Sequence, residues 1–221
     1  NRAEILCMTA SGNIFFTQSE NANNQRLQVS RHYSKDAGKT WEMQDITTAI
    51  YNTVGYDGIF FTSGRILMSS YKAEGAKFRR IYAALATNNK EGLSATNAGR
   101  TVVVYSDDFG ESWTSLGVAI QGSWGGFLGA VYSGGGDEGK CEELPNGNVV
   151  VSSRCNGGRH FNIFTFTDAE KAEGSWGTRA TSNASVDGVV ALGNSCNGEI
   201  MIMPATRNAD GEKVWIALQS L

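Results

Sequence analysis

The chain has 221 residues, a formal net charge of −3, 41% hydrophobic and 19% charged side chains, with 27 glycines and 2 prolines. That length is enough for one well-buried core, and no stretch is apolar enough to span a bilayer as a helix. The charge balance removes any general reason to expect nucleic acid or an anionic membrane as partner, so an anionic substrate would have to bind at a local cluster of arginines.

Short β-branched or alternating runs, each bounded by Gly, Asn, Asp or Ser, recur along the chain. In order they are Ile5 to Met8, Asn13 to Phe16, Leu27 to Tyr33, Gly58 to Phe61, Arg65 to Met68 and Thr101 to Tyr105. Asn148 to Val151, Glu199 to Met203 and Val214 to Leu218 complete the series. Each has the length and boundaries of a strand. Leu144-Pro145-Asn146-Gly147-Asn148 is the clearest hairpin, because Asn-Gly tolerates the positive φ of tight turns. Asp45 to Tyr51 and Asp168 to Glu173 are the two segments with helical potential, both too short to set the fold. The pattern predicts an all-β protein.

One motif repeats. Ser34 to Trp41 and Ser106 to Trp113 share S-x-D-x-G-x-[ST]-W, and each follows a β run. A third, degraded copy runs from Phe164 to Asp168 and resumes at Gly174-Ser175-Trp176. The physics is local: Asp accepts backbone N–H groups in a tight turn, Gly takes the φ that an L-residue resists, and Trp anchors the next strand. Asp36 and Asp108 are therefore read as structural and left out of the site.

Several chemistries lack their residues. Cys7, Cys141, Cys155 and Cys196 form no CxxC pair and only His32 and His160 are present, so no metal site is expected, and the cysteines read as buried or half-buried thiols. Neither histidine sits in a nucleophile context. The glycine-rich stretch from Gly122 to Gly139 lacks a GK[ST] ending and reads as a loop at a pocket rim. No cofactor is implied.

The repeated motif resembles the Asp boxes of sialidases and related propellers. The segment from Gly136 to Arg154 resembles the bacterial exo-α-sialidase (neuraminidase) family closely: a glutamate opens a strand, Glu143-Leu144-Pro145-Asn146-Gly147 makes the hairpin, and Ser152-Ser153-Arg154 ends the return strand. "TW…DIT" from Thr40 to Thr47, the strand pair from Gly58 to Leu67 and "VYSDDFG" from Val104 to Gly110 extend the likeness. The resemblance implies a six-bladed sialidase-type β-propeller, of which this chain would hold about four blades of four-stranded antiparallel sheets. It also implies a single domain over 1–221, cut at both ends.

Within that family Glu138 corresponds to the glutamate that activates a nucleophilic tyrosine, and Arg154 to the second of three arginines that clamp the substrate carboxylate. Arg159 is a further candidate for the same rim. Sialic acid carries its carboxylate on the anomeric carbon, so a neutral tyrosine replaces the usual carboxylate nucleophile. Arginine grips the substrate carboxylate through two N–H groups, and an aspartic acid protonates the leaving group. The resemblance implies sialylated glycans as substrate, no nucleic acid partner, and a secreted or periplasmic location.

Some family parts have no match. Arg2 imitates the first arginine, but no aspartate follows between Gly12 and Ser34, where Glu20 is the only acid; Arg207 comes too early for the third arginine. None of the seven tyrosines lies beyond Arg154, where the nucleophile belongs. A sialic-acid-binding propeller without catalysis is therefore the alternative, and another Asp-box glycosidase or interaction domain the third.

Overall fold

The computed structural model describes residues 4–14, 25–56, 58–61, 65–88, 100–121, 138–155, 158–183 and 198–220. The described strands form antiparallel sheets that follow one another along the chain. The first sheet has the order β1 (Ile5–Ile14), β2 (Gln25–Ser34), β3 (Glu42–Asp45). The helix α1 (Thr47–Val54) follows. In the second sheet β4 (Gly58–Phe61) and β5 (Leu67–Met68) both pair with β6 (Ile81–Asn88), which pairs with β7 (Arg100–Ser106) and then β8 (Thr114–Gln121).

The third sheet runs β9 (Gly139–Glu143), β10 (Val149–Cys155), β11 (Gly158–Asp168), β12 (Glu173–Trp176), with β13 (Ala180–Asn183) on the other half of β11. A hairpin of β14 (Ile200–Thr206) and β15 (Lys213–Gln219) ends the described chain. Each sheet packs on the next: α1 and β2 meet the second sheet, β6 and β8 meet β9 and β11, and β9 meets β14. Apart from α1, the regular structure of the described residues is all β in successive antiparallel sheets, the class that the strand pattern predicts and the kind of sheet that the family resemblance implies.

The reason for the pattern is visible in β7. Val102 and Val104 enter one core with Val29, Ile50, Val54, Leu85 and Trp113. Val103 enters a second with Leu67, Ile120, Cys141, Val151 and Phe164. A strand with a core on each face needs a continuous apolar run rather than alternation, which is why Val102-Val103-Val104 stands there. At about 1.5–3 kcal/mol for each fully buried Val, Leu, Ile or Phe side chain, these two interfaces hold the sheets together.

The helix sits slightly later than Asp45 to Tyr51. Asp45 Oδ1 accepts from the N–H (2.9 Å) and hydroxyl (2.6 Å) of Thr47, Ile50 and Val54 bury one stripe, and Gly55 N–H closes on Tyr51 O at 2.9 Å. Asp168 to Glu173 is not a helix. It is the tight turn between β11 and β12, where Asp168 Oδ1 takes the Lys171 N–H at 3.1 Å and Ala172 N–H bonds Ala169 O at 3.3 Å. Pairing of Phe164 with Trp176 across that hairpin overrides the local helical preference.

Two other expectations need correction. Cys141 is buried, but Cys7 is an exposed free thiol, because it lies on the outer face of β1 beside exposed Ile5. Trp113 anchors in the core at 8% exposed, whereas Trp41 is 46% exposed and closes on its own turn, its indole N–H donating to Gly38 O at 3.1 Å.

Candidate functional site

The site is built on the hairpin of β9 and β10. Pro145 holds the first corner of its turn, since its ring fixes φ near the value needed there. Gly147 N–H returns to Leu144 O at 2.8 Å, and Gly147 takes φ 84°. The positive φ is confined to Gly147, so this is a turn led by Pro145 rather than one with both Asn146 and Gly147 left-handed. The register then pairs Val151 with Cys141, Ser152 with Lys140 and Ser153 with Gly139. Arg154 N–H bonds Glu138 O at 2.9 Å and continues the ladder by one step.

That register places Glu138 beside Arg154, and the side chains meet: Arg154 Nη1 donates to Glu138 Oε2 at 3.2 Å. The pair is half-buried, 17% exposed at Glu138 and 33% at Arg154. On the other side of β10, Arg154 pairs with Arg159 of β11, so the three candidates form one row across the sheet. Arg159 is fully enclosed. Its Nε donates to Ser152 Oγ at 3.0 Å, and its Nη2 to Ser152 O at 3.1 Å and Gly198 O at 3.4 Å.

Alternation along β9 puts Lys140 and Glu142 on the face that carries Glu138. Lys140 is buried. Burial pushes its pKa down, the carboxylates of Glu199 and Glu138 oppose that, and Arg159 adds to it; the net direction is down. Glu142 is paired with Arg65. Sequence reasoning passed over Lys140 and Glu199. The period-2 spacing from Glu138 is the signal for Lys140, while nothing local marks Glu199, which arrives through β14.

The opposite face is sealed against the second sheet. A side chain at Gly139 would come within 2.6 Å of Thr101 Cγ2, so glycine is what lets β9 approach so closely. Ser153 Oγ meets Thr101 Oγ1 at 2.9 Å. His160 is buried on this face with Nδ1 2.8 Å from Thr181 Oγ1. Burial, with Arg179 and Arg159 nearby, pushes its pKa down to about 4, and a neutral ring of this kind suits packing rather than proton transfer at neutral pH.

The Asp-box turns lie elsewhere. From Arg159 to Asp168 along β11 is nine residues, roughly 30 Å of strand, so the turn between β11 and β12 is at the far end of the sheet from Glu138. In the two full copies the geometry is the same. Asp36 Oδ1 takes the Thr40 N–H at 2.9 Å and Oδ2 the Thr40 hydroxyl at 2.7 Å. Asp108 takes the corresponding groups of Ser112 at 2.9 and 2.5 Å. Ser34 Oγ and Ser106 Oγ accept the N–H groups of Gly38 (2.7 Å) and Gly110 (2.8 Å), whose φ of 84° and 85° only glycine adopts without strain. Burial raises the Asp108 carboxyl, but the bonds from Ser112 and Ser106 outweigh it and hold its pKa below the usual value.

Comparison with known proteins matches these two turns. The BNR/Asp-box repeat family matches residues 32–43 and 104–115. A "Sialidase" of Micromonospora viridifaciens is 29% identical over 121 residues, 55% of this chain and 16% of that protein. This chain resembles an Asp-box sialidase. It spans about a sixth of that relative's length in the match. Among solved structures, that of the intramolecular trans-sialidase from Ruminococcus gnavus in complex with oseltamivir carboxylate aligns with 96% of this chain and 41% of its own. The TM-score is 0.48 and the identity 15%.

Among the described residues no group of three or more His, Cys, Asp and Glu side chains could hold a metal ion, and no helix is long and apolar enough to cross a membrane. Arg2, Glu20, Cys196 and residues 122–137 of the glycine-rich loop lie outside the described residues.

Proposed function

We propose that this chain supplies the glutamate base and one carboxylate-gripping arginine of an exo-α-sialidase, a retaining hydrolase that releases terminal sialic acid from glycoconjugates. The observation that carries the proposal is the ion pair of Glu138 and Arg154, 3.2 Å apart and still open to solvent, at the strand ends opposite the Asp-box turns. In this reading the substrate carboxylate docks on Arg154, whose planar, permanently charged guanidinium matches a carboxylate in geometry. Glu138 takes the proton of a tyrosine hydroxyl as that oxygen attacks the anomeric carbon, and an aspartic acid protonates the departing glycan. The tyrosine, the aspartic acid and the remaining arginines belong to the rest of the whole protein, which works outside the cytoplasm on sialylated glycans as one propeller domain. Arg159 supports the site from below: its enclosed guanidinium fixes Ser152 and carries positive charge under Arg154.

The test is Glu138→Gln in the complete protein, assayed with a sialoside of fluorescent leaving group. Loss of a general base predicts a fall in kcat of about 10²- to 10⁴-fold with little change in KM. Normal turnover in the variant would end the assignment. Equilibrium binding of sialic acid by the wild type with no release from the sialoside would instead identify a non-catalytic binding propeller.

A further inference from the structure

We propose that Thr101 is a positioning residue for Glu138 and Arg154, a stop on the second sheet that sets where the strand ends carrying this pair stand. The inference rests on the sialidase reading of Glu138 and Arg154 and adds to it a residue from another sheet. Thr101 is fully enclosed on β7. It shares the face of Val103, which enters the second core together with Cys141 of β9 and Val151 of β10. Val102, Val103 and Val104 continue the strand with apolar side chains, yet a hydroxyl stands at 101. Burying a hydroxyl is unfavourable unless it is hydrogen-bonded, and Thr101 Oγ1 meets Ser153 Oγ at 2.9 Å.

Thr101 acts at the step of the ladder next to the site. Gly139 follows Glu138, Ser153 precedes Arg154, and Gly139 and Ser153 are register partners. The threonine touches both. A methyl group at Gly139 would stand 2.6 Å from Thr101 Cγ2, so β9 rests on that methyl through its backbone. The hydroxyl of Thr101 holds β10 through Ser153, whose Oγ lies 3.5 Å from Arg154 O. Gly139 and His160 flank Ser153 on the two neighbouring strands, which leaves it no sideways freedom. The pairing of β7 with β8 shifts register between Thr101 and Val102, an irregularity of the kind that re-aims a side chain beside functional sites. The two contacts divide the work: the methyl fixes the strand of Glu138 and the hydroxyl fixes the strand of Arg154. A misplacement of about 1 Å can cost about 10²-fold in rate even when its cause lies away from the chemistry.

The experiment measures kcat, KM and the urea midpoint of the complete protein with a sialoside of fluorescent leaving group. In Gly139→Ala the new methyl presses on Thr101 and moves Glu138, so kcat should fall about 10- to 100-fold with little change in KM. Adding Thr101→Ser removes Cγ2, leaves Ala84 Cβ at 3.4 Å as the nearest neighbour, and should restore most of kcat. Thr101→Val keeps the volume but releases Ser153 and Arg154, so KM should rise about tenfold with a smaller change in kcat. Val103→Ala, on the same strand and face, should lower the urea midpoint and leave kcat and KM at wild type. Wild-type kcat in Gly139→Ala, no rescue by Thr101→Ser, or the same kinetic losses in Val103→Ala would overturn the inference. If Gly139→Ala does not fold, the double variant and the contrast of Thr101→Val with Val103→Ala decide. A wild type that releases no sialic acid sinks the sialidase reading alone. Crystal structures of wild type and Thr101→Val then test the positioning, and an unmoved Arg154 would overturn it.

Discussion

Replacing Arg80 by methionine removes a cation that ties the second sheet to the third. The guanidinium of Arg80 is enclosed at 1% exposed. It forms two bonds of 2.8 Å to Asp107, one of 2.7 Å to Ala169 O and a longer one of 3.4 Å to Glu170 O. Its plane also lies over the rings of Tyr71 and Tyr105, at 4.8 and 4.6 Å from their centroids. The two carbonyls belong to the turn between β11 and β12, so one side chain of the second sheet caps a turn of the third. Breaking a buried pair by deleting one partner costs about 3–5 kcal/mol. Asp107 is 30% exposed, so water can take over part of its solvation, and the loss should fall near the lower end, about 3 kcal/mol. Methionine keeps much of the packing volume, which confines the effect to charge and hydrogen bonds. In urea the midpoint should drop by about 1–2 M at constant slope. Combining Arg80→Met with Asp107→Ala should cost clearly less than the sum, with a coupling of about 2 kcal/mol. A loss below about 1 kcal/mol, the range of exposed ion pairs in general, or additive double-variant energies would refute the reasoning.

Two further outcomes follow from other buried groups. His160 has its pKa pushed down to about 4, below the ordinary value near 6.5. Between those two pH values the unfolded chain therefore binds a proton that the folded chain does not. The stability that His160 brings is complete above about pH 6.5 and is lost as pH falls toward 4, with a slope of at most about 1.4 kcal/mol per pH unit. Urea titrations at several pH values should show a steeper acid loss in wild type than in His160→Gln, and equal slopes would contradict the assignment. Burial in the second core, with Glu199 and Glu142 nearby, pushes the Cys141 thiol up to about 12, whereas Cys7 is exposed. Peptide-resolved mass spectrometry after iodoacetamide at pH 8 should find Cys7 alkylated and Cys141 protected until denaturant is added; early labelling of Cys141 would show that the interface of the second and third sheets opens.

The strands and turns were legible locally because their signals are local. Val102-Val103-Val104, the Pro145 turn and the Ser-Asp-Gly pattern each act within a few residues, so a short window contains the whole cause. Glu138 and Arg154 were singled out through the family resemblance of the segment from Gly136 to Arg154, and their ion pair emerged only with the register of β9 against β10. The segment from Asp168 to Glu173 was not legible, because the long-range pairing of β11 with β12 decides its conformation.

By itself the sequence determined the all-β class, the Asp-box turns and the Pro145-Asn146-Gly147 hairpin on which Glu138 and Arg154 stand. Only the tertiary structure decided which charges share that hairpin's face and which side chains are enclosed. Arg159 on β11, Lys140 on β9 and Glu199 just ahead of β14 come from segments far apart in sequence, and Trp41 and Trp113 occupy the same motif position with opposite exposure. Burial and Coulombic contact depend on what packs from outside a segment, and no pattern within the segment encodes that neighbour.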